Sequence, residues 1–271
     1  MVLGQERELL AAPELGAADA GAEVVWHDLE CGSYRADLGL WQELATENPG
    51  PVLEIGAGAG RVALALARSG HAVTALERDP ALLGALRARA AGAPVHTLCA
   101  DARSFALPAQ AFALCIVPMQ TVQLLGGAAG RGAFLKCARA HLRGGGLLAC
   151  AILAGVTPFD CAAGEAGPAP ERAIIAGLCH TSWPTRVSVG TRSVVIERER
   201  KIEMAAGDDV ARRPATGAGC VRRERSVVEL DRLSAAQLRR EARALGFAAP
   251  PARHVPATEE HAGSTVVMLR A

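Results

Sequence analysis

The sequence predicts an α/β fold: a mostly parallel sheet with helices, plus an insertion of antiparallel strands. Three observations carry this. Val52–Ile55 is a short apolar run, followed at once by Gly56, Gly58 and Gly60. A helical pattern then runs from Arg61 to Ser69, with Val62, Leu64, Ala65 and Leu66 on its apolar face. Beyond residue 190 the period changes: Arg192–Ile202 and Val221–Leu230 alternate charged and apolar residues, as exposed antiparallel strands with cross-strand ion pairs do.

Taken in order, Gln5–Ala12 has a helical pattern, and Ser33–Glu47 reads as an amphipathic helix with Leu38, Trp41, Leu44 and Ala45 on one side. Pro49-Gly-Pro51 ends it and launches the first strand. The strand, glycine turn and helix start that follow make a place where backbone N–H groups and a ligand come close. Further strands are expected at His71–Leu76, Val95–Ala100 and Phe112–Pro118, a helix at Arg131–Leu142 and a strand at Leu147–Leu153. Ligands of an open parallel sheet lie beyond the carboxyl ends of its strands. Gly56–Gly60, Glu77, Asp101 and Pro118–Gln120 all follow strand-like runs, so they are expected to converge on one rim.

Gly155–Pro170 is rich in Gly, Pro and Ala and reads as a loop. A Gly/Asp-rich stretch near Ala205–Gly219 separates the two alternating strands. Ser234–Gly246 is a helix with Ser234 as N-cap and Gly246 just past its end. Ala252–Val255 and Ser264–Leu269 form a closing hairpin. The expected units are an N-terminal helical segment (1–48), a cofactor-binding core (49–155), an insertion with antiparallel strands (156–230), and a C-terminal helix with hairpin (231–271).

Half the 271 residues are apolar but only 3% are aromatic, so the core is expected to be Ala, Leu and Val. A net charge of +1 speaks against a large nucleic-acid footprint, and no nucleic-acid partner is expected. The eight cysteines include no C-x-x-C pair and show no zinc spacing, so they are read as free thiols in a reducing cytosol. No run approaches the length of a membrane span, and the N-terminus lacks a basic start and apolar core, so a cytoplasmic protein without a membrane partner is expected.

The glycine loop admits two cofactors. Gly58-Ala-Gly60-Arg-Val-Ala63 satisfies the G-x-G-x-x-A fingerprint of dinucleotide binding. The same stretch, begun at Glu54, satisfies acidic-hydrophobic-G-x-G-x-G. Glu77, ending the second strand, suits a ribose diol in either case. Asp101 ends the third strand, and a helix–glycine–strand passage through Arg143-Gly-Gly-Gly leads into the fifth. With these features in this order, residues 33–155 resemble the class I S-adenosylmethionine-dependent methyltransferases of small-molecule type.

That resemblance implies a three-layer, Rossmann-like, seven-stranded sheet, mostly parallel with an antiparallel last strand, and S-adenosylmethionine as cofactor. It implies that Gly56, Ala57, Gly58 and Gly60 pack against the methionine and ribose portions, and that Glu54 orients the loop and the methionine end. Glu77 then accepts both ribose hydroxyls, with Arg78 beside it, and Asp101 and Ala102 read adenine. Tyr34, the only tyrosine, lies over the methionine end. Pro118 and Gln120 belong to the rim that faces the transferring methyl. Gln120 and Gln123 either hydrogen-bond an acceptor or cap the next helix. Arg61 can reach the cofactor carboxylate, though arginines opening this helix usually point to solvent. One departure is Ala113, where the family usually has Asp.

A sulfonium methyl is already activated, so the protein supplies proximity, alignment and desolvation. His261, beside Glu259 and Glu260 in the closing hairpin, is the first choice of general base. His180 and Trp183 are weaker candidates for a substrate pocket. His71, His96 and His141 fall on scaffold elements. After the fourth strand there is no Asn/Asp-Pro-Pro-aromatic, no Pro-Cys and no carboxylate to hold magnesium. The expectation is metal-free transfer to nitrogen or oxygen, with carbon a further option, of a small-molecule acceptor, by a monomer or homodimer. Two alternatives stay open: an NAD(P)-dependent oxidoreductase, and a non-catalytic S-adenosylmethionine-binding protein.

Overall fold

The computed structural model describes residues 18–153, 155–204, 220–258 and 261–271. The helix expected at Gln5–Ala12 and the two glutamates before His261 lie outside the described residues. Helix α1 (Ala18–His27) continues through a π-type turn at Asp28–Gly32, and α2 (Leu38–Glu47) follows after a short loop. The helix expected from Ser33 thus begins at Leu38. Asp37 precedes it without capping it, because its carboxylate is committed elsewhere: it accepts from Trp41 Nε1 at 2.8 Å and pairs with Arg61.

The core then alternates strand and helix: β1 (Val52–Ile55), α3 (Arg61–Arg68), β2 (Val73–Glu77), α4 (Pro80–Arg89), β3 (Val95–Cys99), β4 (Phe112–Val117), α5 (Gly127–His141) and β5 (Leu142–Leu153). An antiparallel lobe follows, with β6 (Phe159–Asp160), β7 (Glu171–Ile175), β8 (Leu178–Val189), β9 (Ser193–Met204) and β10 (Cys220–Asp231). The chain closes with α6 (Ala235–Arg243), β11 (Arg253–Val255) and β12 (Ser264–Arg270). Ser234 caps α6 as expected, its hydroxyl accepting the Gln237 N–H at 3.1 Å, and Gly246 takes the left-handed conformation beyond it.

The first sheet has seven strands in the order β11-β12-β5-β4-β1-β2-β3. The strands β1 to β5 pair in parallel, and β12 runs antiparallel to both β5 and β11. The expected fold class is the observed one. Trp41, Leu44, Val62, Leu66, Leu83 and Leu86 pack on one face, against Val52, Leu114 and Ile116. Phe134, Leu135, Leu238 and Ala242 pack on the other, against Leu53, Ile55, Cys115 and Val117. This two-sided burial is why β1 and β4 read as unbroken apolar runs apart from Glu54. The order reverses at β1, which has β2 on one side and β4 on the other; that switch point opens a crevice at the carboxyl ends.

The second sheet orders β10-β9-β8-β6, with β7 also paired to β8. Only β9 and β10 were expected. The twelve-residue β8 mixes Cys, His, Thr, Ser, Trp and Pro without alternation, so its sequence carries no strand period. Cross-strand ion pairs do form, between Arg223 and Glu199 at 2.7 Å and between Arg225 and Glu197. Among the described residues no helix is long and apolar enough to cross a membrane, and the seven described cysteines are free thiols.

Arg131 fastens the second sheet to the first. Its side chain is only 3% exposed, and it donates to Asp231 at the end of β10 at 2.5 Å and to Glu241 of α6 at 2.7 and 2.8 Å. Asp231 also accepts the Gly127 N–H at the start of α5. Removing the cation leaves two carboxylates facing each other. Arg131→Met is therefore expected to cost about 3 kcal/mol, toward the low end for a broken buried pair because water reaches the carboxylates. Urea unfolding checks this: the midpoint should fall with the slope unchanged.

Candidate functional site

The rim forms where β1, β2, β3 and β4 end. At Gly56, φ is +68°, and an added Cβ would stand 2.6 Å from Thr121 Cγ2. At Gly58, φ is +54°, and an added Cβ would run into the imidazole of His27. Glycine is required at both positions by conformation and by space. The loop amides, however, are spent internally. Gly56 and Ala57 N–H both donate to the Leu76 carbonyl, at 2.8 and 3.0 Å, and Gly60 N–H donates to the Ala57 carbonyl at 3.0 Å. Gly58 N–H donates to Glu77 Oε2 at 2.9 Å. With four of its amides paired inside the protein, this turn offers a ligand a close surface of glycine backbone.

Two acidic groups sit beneath that surface. Glu54, in the middle of β1, is 2% exposed, and its Oε2 is buried without a hydrogen-bond partner. Burial pushes its carboxyl up to about 8, with Arg61 and the Ala63 amide opposing. Glu77 ends β2, and its Oε1 accepts the N–H groups of Arg78 and Asp79 at 2.8 and 3.0 Å. Past β3, Asp101 is half-exposed and held by Arg103, which donates from its guanidinium and its backbone N–H; those bonds lower its carboxyl to about 2. Asp101 is therefore a permanent acceptor at neutral pH, with the exposed Arg78 cation adding to the same effect. Ala102, beside it, is buried among the apolar residues under α5.

Tyr34 and His261, far apart in sequence, meet here: their ring centroids are 4.9 Å apart. Arg61 lies over the Tyr34 ring at 5.2 Å. It donates to the Tyr34 carbonyl at 2.9 Å and to both Asp37 oxygens at 2.5 and 2.8 Å. With 7% of its side chain exposed, Arg61 faces inward and not to solvent. Pro118 is buried, and its carbonyl accepts the Thr121 hydroxyl at 3.2 Å. Between Pro118 and the half-buried Gln120, Met119 adopts φ +55°, a conformation rare for a side chain of its size.

Gln123 takes neither expected role. Its Nε2 donates to the Asp231 carbonyl and its Oε1 accepts the Leu153 N–H, both at 2.8 Å, so it straps β5 to β10. His180 is buried edge-on to Trp26, with centroids 5.3 Å apart, and burial lowers its pKa. Trp183 is half-buried on the same strand. His141 is structural, bonded to the Leu107 N–H and the Cys137 carbonyl and stacked on Phe105. Three residues at the rim escaped sequence reasoning: His27, Asp37 and Thr121. The one signal was the glycines, whose lack of a side chain announces close neighbours without naming them.

Among the described residues no group of three or more His, Cys, Asp or Glu is placed to hold a metal ion. The groups present do fit S-adenosylmethionine. A side-chain-free cradle offers room for its methionine and ribose, an orphaned buried carboxyl oxygen suits an ammonium, and carboxylates end the next two strands.

Residues 52–146 match the family model of the methyltransferase domain. That match assigns a methyltransferase domain to this stretch of the chain. A search of curated proteins found no match. Among solved structures, an amino pentose methyltransferase from Micromonospora echinaspora with S-adenosylmethionine bound is 19% identical, with a TM-score of 0.66 over 91% of this chain and 96% of that one. A sugar N-methyltransferase from a Streptoalloteichus species is 17% identical, with a TM-score of 0.64 over 98% of each chain. A glycopeptide N-methyltransferase complexed with S-adenosylhomocysteine is 22% identical, with a TM-score of 0.56 over 86% of each.

The buried Glu54 carboxyl yields a signed pH dependence. Folding holds its proton to about 8 whereas the unfolded chain releases it near 4.5, so the folded state loses stability as pH rises through that window and levels off above it. Glu54→Gln removes this pH dependence. The difference in melting temperature between variant and parent should grow from about pH 5 to about pH 8 and then stay constant; a constant difference throughout would contradict the assignment.

Proposed function

We propose that this protein transfers a methyl group from S-adenosylmethionine to the amine nitrogen of a small, sugar-like acceptor, without a metal. The observation that carries the methyl-transfer reading is the glycine cradle over the orphaned Glu54 oxygen, with Glu77 and Asp101 on the next two strand ends. The nitrogen and the sugar are supported by the solved relatives, described as amino pentose, sugar N- and glycopeptide N-methyltransferases.

When bound, S-adenosylmethionine supplies a methyl already activated by a sulfonium. The work of the chain is placement. The Gly56–Gly60 surface lets the cofactor lie close to β1, Glu54 faces its ammonium, Glu77 receives ribose, and Asp101 with the Ala102 amide receives adenine. Tyr34, clamped between Arg61 and His261, covers the methionine end. His261 is the base that takes the proton from an ammonium acceptor and frees the lone pair for in-line attack, with Gln120 and Met119 on the opposite rim. The second sheet, carried on Arg131 and Gln123, roofs the acceptor.

Calorimetry should show micromolar binding of S-adenosylmethionine and S-adenosylhomocysteine and none of NAD, with Glu77→Ala and Asp101→Ala each weakening it at least about tenfold, the size of one charge-assisted hydrogen bond. Turnover with amino sugars and with their hydroxyl-only counterparts, read by mass spectrometry, tests the acceptor atom. Methylated amines are expected; methylated hydroxyls alone would move the reaction to oxygen. His261→Ala should lower kcat about a hundredfold, well beyond any loss of cofactor affinity that follows from loosening Tyr34.

A further inference from the structure

The Glu77 carboxylate is nearly full. A carboxylate offers about four lone-pair positions. Three are taken, by the N–H groups of Arg78 and Asp79 on Oε1 and of Gly58 on Oε2. A ribose diol brings two hydroxyls, and Glu77 has one acceptor position left. The other hydroxyl needs a partner from elsewhere on the rim.

His27, the last residue of α1, lies against Gly58, whose N–H takes one of those positions. The edge of its ring bearing Nε2 and Cε1 fills the space where a Gly58 side chain would begin, on the same residue whose N–H reaches Glu77. Its Nδ1 is buried with no hydrogen-bond partner. Burial lowers its pKa and outweighs the pull of Asp28 and Glu77, so the ring is neutral at pH 7 and offers one donor and one acceptor. Nor is this a side chain on a loose arm. Asp28 pairs with Arg89 of α4, Arg89 also donates to the Ala59 carbonyl at 3.3 Å, and Val24 packs on Ala59 and Ala85. The helix that carries His27 is fastened to the glycine loop itself.

We propose that His27 is a cofactor-binding residue that hydrogen-bonds the ribose hydroxyl Glu77 cannot accept. This rests on the S-adenosylmethionine reading above. The ribose is thereby gripped from two sides, by the end of β2 and by the N-terminal helix, and the N-terminal segment becomes part of the cofactor site.

The test is calorimetric, with S-adenosylhomocysteine and its 2′-deoxy and 3′-deoxy analogues, on the parent protein, His27→Phe and His27→Asn. Phenylalanine keeps the ring and its packing but cannot hydrogen-bond; asparagine keeps a donor and an acceptor. Thermal melts of both variants check folding. The expected result is that His27→Phe weakens S-adenosylhomocysteine about tenfold, that the loss nearly vanishes for one deoxy analogue and persists for the other, and that His27→Asn recovers part of it. Unchanged or tighter binding by His27→Phe overturns the proposal, as does an equal loss with both analogues; tighter binding would mean that the ring blocks the site. Failure of the parent to bind S-adenosylhomocysteine at all would instead overturn the cofactor reading, and this inference with it.

Discussion

The structure depends on the bond between Gly58 N–H and Glu77. The glycine loop has only the Ala57 and Ala59 methyls as side chains, and its three glycines occupy backbone conformations that only glycine adopts freely. It keeps that shape because its amides are bound from behind: by the Leu76 carbonyl, by the Ala57 carbonyl and by Glu77. The last of these matters most, because Glu77 belongs to the neighbouring strand and is itself held by the N–H groups of Arg78 and Asp79. The loop and the tip of β2 are therefore one rigid body. A site assembled this way is preorganised, its amides already paired before a ligand arrives.

The N-terminal segment is the second support. Around it three parts of the chain meet that the sequence keeps far apart. His27 and Asp28 touch the glycine loop and α4. Trp26 and Leu29 pack on Ala173 and Ile202 of the second sheet, and Glu30 bonds Ser182 and Arg200 there. Tyr34 and Asp37 enclose Arg61 at the start of α3. The glycine loop and the second sheet are thus coupled through a dozen residues, and a shift of this segment moves both.

Most of the parallel core was legible in the sequence because buried strands and glycine turns leave strong local signals. Val52–Ile55, Val95–Cys99 and Phe112–Val117 were each read to within a residue, and Ser234 and Gly246 bracketed α6. Glu77 and Asp101 stood out because each closes or follows such a run, and Glu54 because it interrupts one. What stayed hidden depends on tertiary pairing. The strand β8 has no period of its own and exists because β9 and β7 give it partners on both sides. Arg61 looked like a solvent-facing helix residue because nothing local marks Asp37 as its partner 24 residues earlier. Gln123 looked like a substrate ligand or a helix cap because its two real partners, the Leu153 N–H and the Asp231 carbonyl, are backbone groups no sequence pattern displays.

The same loop satisfies two cofactor fingerprints, and charge separates them. A pyrophosphate needs free backbone N–H groups and a positive environment. Here the amides of Gly56, Ala57, Gly58 and Gly60 are already donated within the protein, the side chains around them include Glu54, Glu77 and Asp37, and the neighbouring cations Arg61 and Arg89 are paired with Asp37 and Asp28. An anion placed on this surface would meet carboxylates without compensation. A ligand with a sulfonium and an ammonium meets the opposite: its positive charge offsets the carboxylates that burial otherwise leaves unbalanced, and lets Glu54 give up the proton that desolvation forces on it. The loop that by pattern serves either cofactor is by its electrostatics a cation site.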